Sequence, residues 1–249
     1  KAPIVNFIST SLRIVLCMIF SAKEVQNALA TTQFLKIMNL LLLICETYPR
    51  LQPSLMLPTL QVITASICHN PDSCPSIIQS IFCGNNFKKL SKSPRSIIFS
   101  LFNIISLKSS SLFCIVQSLD IILAITLNQS CRSALLRSTF LQSILKMKPN
   151  YKSLSMCIVS KKKLDIALAL SYYQECQTHI FNCAYFWDII SEVLVPGESQ
   201  FNGIYPLENL LIFYKNISNH SLLSSKLTSS RNYSVDALHQ FFLIIIPNS

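Results

Sequence analysis

The stretch SLDIILAITLNQSCRSALLRSTFLQSILKM, Ser118–Met147, decides the fold. An apolar run closes at Leu127, a polar break Asn128-Gln129-Ser130 follows, and an amphipathic run continues from Arg132 to Met147. Apolar residues at this spacing read as two helices, Leu119–Leu127 and Arg132–Met147. The break supplies an N-cap, because a side-chain oxygen there accepts from an orphan amide of the second helix. One such pair cannot bury its apolar face alone and needs a neighbour of the same kind.

The chain writes that neighbour several times. Lys163–Leu194, Ser11–Leu43, Leu57–Phe82 and, more weakly, Leu207–Leu227 each show an apolar run, a short polar break and a second amphipathic run. Aligned on the breaks, the copies fall at Val25, Cys74, Cys131, Cys176 and Leu222, with successive spacings of 49, 57, 45 and 46 residues. Helical repeats of the HEAT and armadillo type recur at about 40–47 residues. The long spacing holds an insertion, GNNFKKLSKSPR, over residues 84–95. Pro49, Pro94, Pro149 and Pro196 fall between copies, where a helix should stop.

Composition agrees with an all-helical chain. Of 249 residues, 51% are hydrophobic and 13% charged, which excludes intrinsic disorder. Only 3 are Gly, too few for the positive-φ turns of Rossmann, P-loop or hairpin-rich β proteins. The first residue is Lys1 rather than Met, and the chain reads as a piece of a longer protein.

LAITLNQSCRSALLRSTFLQSILKM is similar to the armadillo pattern, in which a helix ends, a polar turn follows and xCRxxLLxxxFLxxL opens the last helix. The likeness spreads over Ser11 to Leu238. It implies one armadillo-like domain over residues 1–249, a right-handed α-solenoid of about five armadillo/HEAT-like repeats. LALSYYQECQTHIFNCAYFWDIISEVL resembles the degenerate repeats of rotatin-like scaffolds, which implies centriole or cilium basal-body assembly in the cytoplasm. Importin-type members differ: this chain has a single Trp, Trp187, and no regular Trp/Asn array along a groove, so nuclear-signal binding is not expected.

Signatures of catalysis are missing. No HExxH, GxSxG or Walker A lysine occurs, and the acidic residues are scattered, none of them at helical spacing from a histidine in an obvious cleft segment. The expectation is a non-enzymatic protein with no cofactor and no small-molecule substrate. Cys68, His69, Cys74 and Cys83 are zinc-ligand types but lack a paired CxxC, and they read as packing residues beside a turn histidine. Cys176 and His179 stand three apart and read likewise, so no metal is expected. Trp187, with Tyr185 and Phe186, reads as core.

Most of the ten cysteines sit in apolar runs, as Cys17, Cys45, Cys114 and Cys157 do, and read as buried free thiols of a reducing compartment. The four sequons, at Asn128, Asn216, Asn219 and Asn232, fit the abundance of Asn and Ser. Ile14–Phe20 is too short to span a bilayer, Leu51–Pro71 is interrupted by polar residues, and Ser96–Leu127 by Lys108 and Asp120; a membrane is not the expected setting.

Charge is the most informative functional feature. The net charge is +10, and it belongs to one zone: residues 84–163 carry 13 basic residues and a single acid, Asp120. Lys88, Lys89, Lys92, Arg95, Lys148, Lys152, Lys161, Lys162 and Lys163 all read as inter-repeat loop residues. Loops of stacked repeats align along one edge, so these residues are expected to form a basic ridge. Such a ridge takes an acidic protein partner or, as a second class, nucleic acid. The bland counterpart is a solvated face keeping an apolar chain soluble.

Overall fold

Gln52–Cys68 forms a helix that is buried around most of its circumference; after Gln52 and Pro53 at its start, only the stripe Ser54, Leu57, Gln61 and Thr64 is exposed or half-buried. Leu55, Met56, Thr59, Leu60, Val62, Ile63, Ala65, Ser66 and Ile67 are all buried. Its polar groups are satisfied within the helix. The Thr59 hydroxyl donates to Leu55 O at 2.7 Å and Ser66 to Val62 O at 2.8 Å. The Thr64 hydroxyl lies 2.9 Å from Leu60 O and 3.0 Å from Gln117 Oε1. Back-bonding of this kind removes the cost of an unpaired hydroxyl in an apolar interior. Pro58, also buried, cannot donate to the carbonyl of Ser54 one turn back; Ser54 is exposed, and water reaches that side.

The computed structural model describes residues 2–22, 24–25, 29, 32–68, 97–106, 110–137, 144 and 154–181, of which 93% are helical, with no strand among them. The protein is all-α in this sense, as its composition requires. The chain divides into two compact units, Lys1–Phe140 and Leu141–Ser249.

In the first unit the helices are α1 (Ala2–Ser21), α2 (Thr32–Thr47), α3 (Gln52–Cys68), α4 (Ile97–Ser106), α5 (Leu112–Thr126) and α6 (Gln129–Arg137). A 3₁₀ turn, Pro49–Leu51, joins α2 to α3. Pro49 therefore punctuates two helices as expected; Pro94, Pro149 and Pro196 lie outside the described residues. Helix α3 packs on α1, α2 and α5, α2 also packs on α4, and α5 on α4 and α6. The first apolar runs of the first three sequence copies thus lie on α1, α3 and α5, with α1 on α3 and α3 on α5. Helix α2 presents Leu35, Met38, Leu42 and Cys45, all buried, at three- and four-residue intervals.

One segment agrees with the sequence reading and one departs from it. Ser96–Leu127 is interrupted, as expected, near Lys108. Helix α4 ends at Ser106 and α5 begins after Ser111, whose side chain accepts from the Cys114 amide at 3.3 Å. At the N-terminus the apolar run Ile14–Phe20 is only the second half of α1, and Pro3–Ser21 is the one helix among the described residues long and apolar enough to cross a membrane.

The second unit contains α7 (Leu154–Ser171) and α8 (Gln174–Phe181), which pack on each other. The α7–α8 turn is built in the same register as the α5–α6 turn, 45 residues earlier. From Ser118 to Cys131 and from Lys163 to Cys176, buried, half-buried and exposed positions coincide wherever both are described. Thr126 and Ser171 each turn a hydroxyl to the carbonyl three residues back, at 2.6 and 2.7 Å. Leu127 and Tyr172 are exposed at equivalent points, and Cys131 and Cys176 are fully buried at equivalent points. Arg132 Nη1 reaches back six residues to Thr126 O at 3.2 Å and also to Leu127 O at 3.0 Å; Gln177 Nε2 reaches back six to Ser171 O at 3.0 Å. Each side chain thereby satisfies a carbonyl that the end of a helix leaves without an amide. Asn128 caps α6 as the sequence implied, its Oδ1 accepting from the Cys131 amide at 3.4 Å.

These turns generate a stability prediction. Arg132→Met keeps the aliphatic stem but strips the donors from two carbonyls, and should cost about 1–3 kcal/mol in urea unfolding. Gln177→Ala, losing one neutral bond, should cost about 0.5–1.5 kcal/mol.

Candidate functional site

The basic zone is only partly a surface. Lys88, Lys89, Lys92, Arg95, Lys148 and Lys152 lie outside the described residues. Lys161, Lys162 and Lys163 do not form an inter-repeat loop: they sit in the middle of α7. The reason is local. The run is flanked by MCIVS and LDIALALS with no Gly or Pro nearby, and Lys is a good helix former, so a charge run reads through as helix. Consecutive helical residues point about 100° apart, so the three ammonium groups cannot share one face.

Two of the zone's cations turn inward. Lys163 is 6% exposed and Arg132 is 5% exposed. Arg132 is held there by the carbonyls that close α5. Lys163 occupies the position that Ser118, also buried, holds one copy earlier. Burial pushes the Lys163 ammonium down to a pKa of about 8, because an apolar surrounding penalises the charged form. Lys161 and Lys162 remain half-buried. The sequence missed Arg132 and Gln177 as helix-closing groups; the signal was present, as both follow a buried Cys in aligned breaks.

Five cysteines have described side chains, and they separate into two kinds. Cys45, Cys114, Cys131 and Cys176 are buried free thiols, whereas Cys17 is exposed, against the expectation that it packs inside. Cys17 lies on the face of α1 turned away from the buried Leu12 and Ile19, which explains the difference. Cys45 is pushed up to about 12 by burial first, then by neighbouring Cys114 and Glu46. Burial also raises Cys114, partly offset by its Ser111 hydrogen bond. Glu46 receives a long contact from Asn103 Nδ2, 3.5 Å, that ties α2 to α4, and its other oxygen is buried without a hydrogen bond among the described residues.

Among the described residues no group of three or more His, Cys, Asp or Glu is placed to hold a metal ion. Of the sequence cluster, Cys68 ends α3, and His69, Cys74 and Cys83 lie outside the described residues, as does the Trp187 segment. Compared with known proteins, the chain matches no family model, no curated protein and no solved structure.

Two predictions follow from the buried groups. In the native protein a maleimide at neutral pH should modify Cys17 well before Cys45, since attack needs thiolate and burial withholds it; peptide mapping after brief labelling checks the order. Lys163 has a folded pKa below its unfolded one, so the unfolded state binds more protons between about pH 8 and 10.5. Its burial cost is therefore fully present below pH 8 and relieved as pH rises through that window, by at most about 1.4 kcal/mol per pH unit. Lys163→Met should raise the urea midpoint at pH 7, and its advantage should shrink toward pH 10.

Proposed function

We propose that the protein is a non-enzymatic interaction scaffold, an α-solenoid of about five armadillo/HEAT-like helical repeats that presents an extended surface to protein partners. One observation carries the reading: the burial pattern over 118–131 recurs over 163–176, and the helix-closing hydrogen bond of Arg132 recurs at Gln177. Agreement at this level follows from a repeated unit, since each unit must bury the same face against its neighbours. The α1–α3–α5 row adds support, because equivalent helices of successive repeats pack on one another. Its setting, by resemblance to rotatin-like scaffolds, is the cytoplasmic centriole or basal body.

The partner we propose is acidic, met by Lys88, Lys89, Lys92, Arg95, Lys148, Lys152, Lys161 and Lys162. Lys163, part of the ridge expected from sequence, is withdrawn from it because it is buried. Nucleic acid is the second reading, favoured by the excess of 13 bases over one acid in residues 84–163.

The test is charge reversal that spares the buried cations. Lys88, Lys89, Lys92 and Arg95 are replaced by Glu in one variant, and half-buried Lys161 and Lys162 by Gln in a second whose helicity is checked by circular dichroism before its capture is compared. Protein capture by the immobilised chain should fall severalfold and weaken with added salt. Equal capture by wild type and variant removes the ridge from the mechanism. Capture abolished by RNase and DNase replaces the acidic protein with nucleic acid.

A further inference from the structure

Helix α7 carries a lysine in the middle of its buried face. Lys163 is 6% exposed and Ser160, one turn before it, 2%. Neither makes a hydrogen bond or ion pair among the described residues. At about 100° per residue, Lys163, Ala167, Ser160 and Ser171 fall on one arc of about 80°. Ile166 and Leu170 flank that arc on one side and Leu164 on the other, and all of these residues are buried. Ser171 already donates to Leu168 O at 2.7 Å, so Ser160 is the hydroxyl left beside the lysine. Burial holds the Lys163 ammonium below the usual lysine range, with no carboxylate among the described residues opposing it. An unpaired charge in such surroundings is costly, and a native fold that keeps one calls for an explanation.

The aligned copy, 45 residues earlier, fills the same face differently. Ile115, Ser118 and Ile122 stand where Ser160, Lys163 and Ala167 stand here. The two isoleucines give way to a serine and an alanine, which removes more side-chain volume than the exchange of Ser118 for Lys163 adds. Packing alone would be met by apolar side chains of matching volume. Small residues around an unpaired cation are instead the composition of a site that takes a guest. The charge selects that guest. One ammonium neutralises one negative charge, whereas a dianion would leave its second charge buried and unpaired. Ammonium and hydroxyl together offer donors to both oxygens of a carboxylate. Leu164, Ile166 and Leu170 suit an alkyl body better than a hydrated inorganic ion.

We propose that Lys163 and Ser160, on the small-residue arc of α7, form a binding site for a small aliphatic monocarboxylate. Its oxygens accept from the Lys163 ammonium and the Ser160 hydroxyl, and its alkyl group packs among the apolar residues that flank the arc. The site belongs to the second unit and does not depend on the scaffold reading. No bond is made or broken in it; the guest replaces the missing counter-charge.

Butyrate is the probe. The full chain is unfolded in urea at pH 7 and constant ionic strength, with sodium butyrate replacing sodium chloride stepwise. A ligand that binds only the folded state raises its stability by mass action, so the wild-type midpoint should climb with butyrate. Lys163→Met should show only the general effect of the salt on the protein surface. Ser160→Ala, which keeps the ammonium and loses one donor, should need about tenfold more butyrate for the same climb. Ala167→Ile, which restores the residue of the aligned copy, should fold by circular dichroism and lose the response although Lys163 is in place. A wild-type midpoint that ignores butyrate overturns the proposal, as does an equal climb in Lys163→Met or an undiminished one in Ala167→Ile. A larger Lys163-dependent climb with inorganic phosphate than with butyrate overturns it in favour of an inorganic oxyanion.

Discussion

Everything in the first unit leans on the burial of α3. On the buried face of this helix no polar group can reach water, so Thr59 and Ser66 return their hydroxyls to its own carbonyls. That internal closure makes α3 an apolar rod despite its sequence, and α1, α2 and α5 can pack around it. Each fully buried Leu or Ile contributes about 1.5–3 kcal/mol, and α3 carries several such residues in one element. A cavity there would be felt by three neighbours at once.

Helix content and the breaks beside Cys131 and Cys176 were legible in the sequence, because apolar periodicity and scarce Gly report directly on backbone conformation; the breaks at Cys74 and Leu222 lie outside the described residues. Asn128 as the cap of α6 was legible for the same reason, since an N-cap is a local chemical need. Exposure was less so. Cys17 lies in as apolar a run as Cys45, yet α1 is covered on one face only while α2 is packed on α3 and α4. Which face of an edge helix stays bare is decided by its neighbours and not by its own residues.

The basic zone shows the same division. Composition located the charge, but tertiary position sorted it. Lys163 was counted with Lys161 and Lys162 because three lysines in a row resemble a loop; the helix rotates them apart and Lys163 is buried, as Ser118 is at the aligned position 45 residues earlier. Arg132 was counted in the basic zone without a role, whereas its guanidinium binds the carbonyls of Thr126 and Leu127. A net charge read from sequence therefore overstates the charge such a repeat can offer a partner.

The turn after α5 and α7 has a consequence for how this architecture ages over generations. Its closing bonds run from a side chain to main-chain oxygens, and main-chain oxygens do not mutate. The acceptor is permanent, so the donor position asks only for length and an N–H, which Arg and Gln already meet in two different ways. A unit pinned like this can exchange nearly every other letter at its turn and keep its shape. Residue changes at such a turn therefore cost its geometry little, and the two turns agree more closely in burial than in residue identity.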